Sequence, residues 1–231
     1  MKITYWSDYA CPYCYIGEKR LEKVIEELNL QDVIELEMKS FELDPGAPRD
    51  YHGTTVERFA RKYMLSEKRA ADQIEHISKL GKEEGIDFRY ADTRYTNTLD
   101  AHRLTKLVQS KGDQKRANQL VTDLFDAYFT RNQELTDREL LIELGVKAGI
   151  DRGEIEELLD GDLYEKEVRA DEAEAQRVGV RAVPFFVIDH KYSISGARPK
   201  EAFMQALQAI AEEQKTEIFP QGASCGIDGC H

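Results

Sequence analysis

An α/β fold in which a mostly helical insertion interrupts a βαβ…αββα framework is predicted by three observations. The first residues read strand, helix, strand; the middle of the chain is helical almost throughout, with no strand signal; and the last third returns to helix, strand, strand, helix. Neither an internal repeat nor a low-complexity segment interrupts this order.

The first strand is Lys2-Ile3-Thr4-Tyr5-Trp6, rich in β-branched and aromatic residues, and it runs through Ser7-Asp8-Tyr9-Ala10 into Cys11. A helix follows at once. Pro12 suits a first helical position, where its missing N–H costs nothing. Leu21, Val24, Ile25 and Leu28 then recur at i, i+3, i+4 and i+7 as one apolar stripe. In the second strand, Val33 to Phe41, Ile34, Leu36 and Met38 alternate with Glu35 and Glu37, so one face is buried and the other wet. Asp44-Pro45-Gly46-Ala47-Pro48 breaks the chain and marks the best domain boundary.

From Thr54 to Asp160 about five helices are expected. Ser66 caps one that carries Ile74, Ile77 and Leu80; another starts at Thr98; the strongest stripe is Leu120, Val121, Leu124, Phe125, Tyr128 and Phe129. Thr136-Asp137-Arg138-Glu139 reads as a capping box and Asp151 as a further cap. A charged helix from Leu163 to Val178 leads to the apolar strand Val183–Ile188. The turn Asp189-His190-Lys191 follows, then the hairpin partner Tyr192-Ser193-Ile194 and a last helix opened by Pro199. The framework thus occupies residues 1–48 and 162–215, the insertion 49–161, and 216–231 is a tail. The order is the minimal thioredoxin topology with an interruption.

The 231 residues can bury a sizeable core. A formal net charge of −12 without a Lys/Arg-rich run argues against nucleic acid as a partner. No apolar stretch approaches the about 18 residues of a spanning helix, and the N-terminus enters a strand without a leader, so a cytoplasmic protein with no membrane partner is expected. In that compartment four cysteines suit catalysis or redox sensing better than a disulfide scaffold.

The chemistry is carried by Cys11-Pro12-Tyr13-Cys14 between strand and helix. At a helix N-terminus the unpaired N–H groups and the positive end of the macrodipole favour a thiolate at Cys11. Cys14, one turn further in, can resolve a mixed disulfide formed there. Half of a zinc site is the competing reading, but zinc takes four ligands and no second close pair stands at a usual finger spacing, so no metal is expected. Tyr13, between the thiols, is the aromatic placed to touch substrate, whereas Tyr5 and Trp6 read as strand packing. His102 is a candidate to line a cleft facing Cys11, with Asn97 beside it, against the alternative of core or cap residues. The alternating charges from Glu165 to Arg177 read as a solvated helix face. Four cysteines allow three pairings.

The Cys-Pro-Tyr-Cys motif, the helical insertion and Ala182-Val183-Pro184-Phe185 together resemble the DsbA family of the thioredoxin superfamily, over nearly the whole chain. Asn97-Thr98-Leu99-Asp100-Ala101-His102-Arg103 and the tail Ser224 to Cys230 resemble its FrnE branch, which is similar to the hydroxychromene carboxylate isomerases and kappa-class glutathione transferases. The resemblance implies Cys11 as nucleophile, Cys14 as resolving thiol, Pro184 as a cis-proline opposite the motif, and Val183 offering its backbone to a peptide added as a β-strand. It favours pairing of Cys225 with Cys230 as a second redox pair that exchanges with Cys11 and Cys14; a structural clip, or a metal-binding end with His231, is the alternative.

A cytoplasmic protein thiol–disulfide oxidoreductase is therefore expected, acting on protein thiols and disulfides without a bound cofactor. Glutathione or a thioredoxin-like reductant is its expected redox partner. Two other classes compete: a glutathione-dependent isomerase or transferase of a small organic substrate, and a chaperone-like binder of unfolded chains. The relatives in the first class usually carry serine in place of the first cysteine; this chain keeps Cys11.

Overall fold

A computed structural model describes residues 1–218. Four strands, β1 (Lys2–Ser7), β2 (Glu35–Ser40), β3 (Phe185–Ile188) and β4 (Tyr192–Ser195), form one sheet in the order β2-β1-β3-β4. β1 and β2 are parallel, with Tyr5 opposite Met38, and therefore need a crossover, which α1 (Pro12–Glu27) supplies. β3 runs antiparallel to both β1 and β4. α9 (Lys200–Ile218) packs beside α1 and buries Phe203, Leu207 and Ile210; it extends past residue 215, where the tail was expected to begin. The framework is the predicted βαβ…αββα order.

Two strand ends differ from the sequence expectation. Val33 donates to the Leu30 carbonyl at 3.1 Å in a turn, and the ladder begins only at Glu35. The third strand begins at Phe185 rather than Val183, because Pro184 has no N–H for the ladder and the Val183–Pro184 peptide is cis.

Between β2 and α8 (Glu165–Arg177) lie six α-helices: α2 (Thr55–Tyr63), α3 (Glu67–Glu83), α4 (Leu99–Ser110), α5 (Gln114–Phe129), α6 (Arg138–Lys147) and α7 (Arg152–Asp160). The helix beyond the expected five is the short α2. Its start carries the complete capping box, Thr54 with Glu57. Ser66 and Asp151 cap α3 and α7 as expected. Thr136 does not cap α6. Its hydroxyl donates to the Arg49 carbonyl at 2.6 Å, and the Asp137 carboxylate instead accepts from the Glu139 and Leu140 N–H groups at 2.9 and 3.3 Å.

The insertion closes the free edge of β2. Gln109 on α4 donates to the Met38 carbonyl at 2.8 Å, so side chains meet backbone groups that no strand pairs. α8 is more than the solvated face its charges suggest. Asp171 is buried, accepts from the Ser40 N–H at 2.8 Å, pairs with Lys106, and offers its backbone carbonyl to the Trp6 indole at 2.9 Å. One acidic residue thereby joins β1, β2 and α4; a buried charge of this kind persists only when paired and hydrogen-bonded.

An aromatic seam joins insertion and framework. Tyr15 on α1 stacks on Phe125 of α5 at 5.0 Å, and Phe129 of α5 stacks on Phe88 at 4.7 Å. Phe88 in turn lies on Gly81 of α3, where a Cβ would come within 2.6 Å of the ring. Phe125→Ala is expected to cost about 3 to 5 kcal/mol through lost burial and cavity formation. A fall in the urea midpoint with an unchanged m-value measures it.

Candidate active site

Cys11 is the N-cap of α1, in extended conformation, and Pro12 holds the first helical position. The Cys11 N–H donates to the Asp8 carbonyl at 3.0 Å, and the Cys14 N–H to the Cys11 carbonyl at 3.1 Å. Both cysteines are free thiols; Cys11 is 5% exposed and Cys14 1%. Burial, and after it the neighbouring Cys11 thiol, push the Cys14 thiol well above its ordinary value, outweighing hydrogen bonds from the Ser7 side chain and the Asp8 backbone that act the other way. Cys14 is thus held as a neutral thiol.

The loop before β3 faces this pair. Cys11 Sγ lies 3.8 Å from the Val183 carbonyl oxygen. Pro184 closes on α1 at Gly17, where a Cβ would meet Pro184 Cγ at 3.0 Å and Ala197 Cα at 3.4 Å. Gly17, one turn beyond Cys14, lets the loop approach the helix. Sequence reading passes over it, although an isolated glycine inside an apolar helical stripe is the local signal for close packing.

Above Cys11 opens a cleft of about 670 Å³, within the range of small-ligand pockets, between the motif and helices α2 and α3. Pro12 and the half-exposed Tyr13 form one wall; Phe59, Tyr63 and Tyr90 form the other. The insertion therefore supplies most of the residues that line this cleft.

Cys11, Pro12, Cys14, Tyr13, Val183 and Pro184 are thus brought together around one thiol. His102 and Asn97 are not. His102 is completely buried behind the motif loop, its ring 4.8 Å from Tyr9 and its Nε2 3.5 Å from Asp8 Oδ1, so it cannot line the cleft. It faces inward because α4 turns onto Tyr9 the side that carries both His102 and Thr105, whose hydroxyl hydrogen-bonds to that of Tyr9 at 2.5 Å. Asn97 accepts from the Leu99 N–H at 2.9 Å and donates to the Pro45 carbonyl at 3.2 Å, tying the start of α4 to the linker after β2. Cys225, Cys230 and His231 lie outside the described residues. Among the described residues no three His, Cys, Asp or Glu side chains converge as metal ligands.

Asp8 is a residue the sequence did not single out. Its carboxylate accepts from the Ala10 N–H at 3.2 Å and the Leu43 N–H at 2.7 Å, while its carbonyl takes the Cys11 N–H. These bonds set the loop from β1 to α1 and tie it to the chain leaving β2.

Glu18, one turn beyond Cys14, is buried beside Tyr5, and neither Glu18 Oε2 nor the Tyr5 hydroxyl has a hydrogen-bond partner. Burial, with the Glu22 carboxylate second, raises the Glu18 carboxyl well above its ordinary 4.5. A carboxyl raised on folding binds more protons in the folded than in the unfolded chain. The stability it contributes is full below about 4.5 and is lost as pH rises through the raised value. Glu18→Gln is therefore expected to match the wild type near pH 4.5 and to exceed it increasingly above, by up to about 1.4 kcal/mol per pH unit. Urea unfolding of both proteins across this pH range measures it, and parallel pH dependences would contradict it.

A family model for the DSBA-like thioredoxin domain matches residues 2–208. The chain is similar over its whole length to the crystal structure of a probable DsbA oxidoreductase from Streptomyces coelicolor, at 36% identity with a TM-score of 0.85 and 98% of that chain covered. A 2-hydroxychromene-2-carboxylate isomerase structure shares the fold at 14% identity and a TM-score of 0.70, covering 94% of this chain and 99% of that one. The cytosolic disulfide reductase DsbM from Pseudomonas aeruginosa does so at 15% identity and a TM-score of 0.61, covering 94% and 100%. The uncharacterized protein YwbO of Bacillus subtilis (strain 168) is 24% identical over 218 residues, 92% of this chain and 97% of that protein. With a matching family model over most of its length and a solved relative alike from end to end, the chain belongs to the DSBA-like thioredoxin domain family.

Proposed function

We propose that this protein is a cytoplasmic thiol–disulfide oxidoreductase that cycles Cys11 and Cys14 between dithiol and disulfide. The carrying observation is the pair itself: a thiol at the N-cap position of α1 beneath an open cleft, and a second thiol buried one turn behind it and kept neutral. In the reducing direction the Cys11 thiolate attacks one sulfur of a substrate disulfide, the Cys11–substrate bond forms, and the first substrate thiolate leaves. Cys14 loses its proton as its sulfur attacks Cys11, and the second substrate thiol is released; two electrons pass from the dithiol to the substrate. The buried, neutral Cys14 delays this second step until the mixed disulfide has formed. Oxidation of a substrate dithiol is the same sequence reversed. The Val183 carbonyl beside Cys11 Sγ suits a substrate backbone laid along this edge, so protein thiols and disulfides are the assigned substrates.

Similarity to a cytosolic disulfide reductase supports the compartment. There a glutathione poise of about −220 to −320 mV keeps a weakly oxidising pair reduced, which favours reductase or isomerase work, with glutathione or a thioredoxin-like protein returning the electrons.

One observation favours a second reading, glutathione-dependent isomerisation of a small organic substrate: the fold is shared with a hydroxychromene carboxylate isomerase. The two separate on one variant pair. Cys11→Ser is expected to abolish disulfide exchange and Cys14→Ser to accumulate mixed disulfides, read by alkylation and peptide mass spectrometry in glutathione redox buffers. Full exchange by the Cys11 variant would sink the oxidoreductase reading. Glutathione-dependent turnover of a small substrate by the Cys14 variant would favour the isomerase.

A further inference from the structure

The cleft above Cys11 has a charge opposite to that of the molecule. The chain carries a formal −12, yet three cations line this cleft, Arg58 and Lys62 from α2 and Arg69 from α3, against one acid, Asp72. Arg58 and Lys62 are four residues apart on one helix face.

Arg58 makes the local need explicit. It is half-buried, its guanidinium lies 4.1 Å over the Tyr95 ring, and no carboxylate pairs with it among the described residues. Its Nε and Nη2 are buried without an acceptor. These two atoms form one edge of the guanidinium, the edge that grips a carboxylate through two parallel hydrogen bonds. Arginine does not deprotonate in proteins, so the unpaired edge cannot be relieved by loss of charge, and a buried donor without a partner is destabilising. The nearby hydroxyls do not neutralise the charge: Tyr90 hydrogen-bonds to Arg58 but burial keeps it protonated, and burial likewise pushes Tyr128 up to about 12. The missing partner is an oxyanion, and Arg58 lines the cleft that also holds the nucleophile.

The geometry points to a specificity site: the cleft takes disulfides that carry a carboxylate a few bonds from the reacting sulfur, and Arg58 is the residue that receives it. This rests on the disulfide exchange proposed above and adds to it the chemical class of the substrate. Reaction follows the balanced exchange already described, one substrate disulfide and the protein dithiol giving two substrate thiols and the Cys11–Cys14 disulfide.

The test uses pre-reduced full-length protein and two small disulfides of similar length and opposite charge, the dianion 3,3′-dithiodipropionate and the dication cystamine. Formation of the Cys11–Cys14 disulfide is followed, and each rate is divided by that of the same disulfide with free dithiothreitol to remove intrinsic reactivity. The molecule's net charge alone favours the dication. The wild type is nevertheless expected to prefer the dianion, and Arg58→Gln to lower the dianion-to-dication ratio by about tenfold or more, the change one charge-assisted bidentate contact produces. Arg58→Lys, which keeps the charge and loses the fork, is expected to fall between them and decides the matter should the glutamine variant not fold. A wild-type ratio at or below one for these small disulfides and for acidic over basic cysteine peptides alike, or a ratio untouched by either substitution, overturns the inference while leaving exchange intact. Failure of both disulfides to oxidise the dithiol overturns the exchange reading and this one with it. Mixed disulfides of an acidic and a basic cysteine peptide, run in parallel, assign the source. A preference in the small pair indicates a free small-molecule disulfide, and one confined to the peptides indicates an acidic polypeptide.

Discussion

The seam in which Tyr15 of α1 stacks on Phe125, and Phe129 on Phe88, is the contact on which the arrangement of this molecule depends. Tyr15 directly follows the buried thiol Cys14, so the helix that carries Cys11 and Cys14 is the same helix against which the insertion docks. Aromatic side chains suit this task because each buries a large apolar area, and the offset ring geometry fixes orientation as well as distance. Docking at that point has two consequences. It seals Cys14 from water, and it places α2 and α3 over Cys11, where they become the far wall of the cleft.

The reactive loop is held from below by polar contacts of a different kind. The Asp8 carboxylate and carbonyl together take the N–H groups of Ala10, Cys11 and Leu43, so the start of α1 and the chain leaving β2 share one anchor. Asp171 plays an equivalent part near the same C-terminal ends of β1 and β2, joining Ser40, Trp6 and Lys106. Each acid is buried, and each is surrounded by donors, which is the condition for keeping a carboxylate inside a protein. Glu18 is the exception. Its Oε2 has no donor, and burial drives the group toward its neutral form one turn behind the thiol pair.

In the cleft, electrostatics and shape are supplied by different parts of the chain. The motif and the loop at Val183 and Pro184 provide the thiol and a backbone edge; the insertion provides aromatic walls and a local positive charge within an acidic molecule. Thiol exchange requires only the first. Selection among disulfides requires the second, because differences in affinity arise from groups the substrate touches away from the reacting sulfur.

How much of this is legible in the chain follows from the range over which each signal acts. Local signals carried the elements: a proline after Cys11, apolar residues at helical spacing, alternation along β2, and Ser66 and Asp151 at helix starts all concern residues within one or two turns of each other. The cysteine spacing and its strand-to-helix setting likewise singled out Cys11 and Cys14, which lie together at the start of α1. Where two local readings were nearly equal, as for Thr136 and Asp137, a contact with distant Arg49 decided between them. His102 shows the limit most clearly. Its helix was evident, but which face of that helix looks into the cleft and which onto Tyr9 depends on how α4 sits against residues about a hundred positions away. The same holds for Arg58, an ordinary surface-type residue in the sequence, and for Gly17, whose missing side chain matters only because Pro184 approaches it. Sequence alone determined the elements, their order and the placing of two thiols at the start of a helix, since these are written in neighbouring residues. Tertiary structure decided what surrounds the thiols, because burial, pairing and cleft charge arise only where segments far apart in the chain meet.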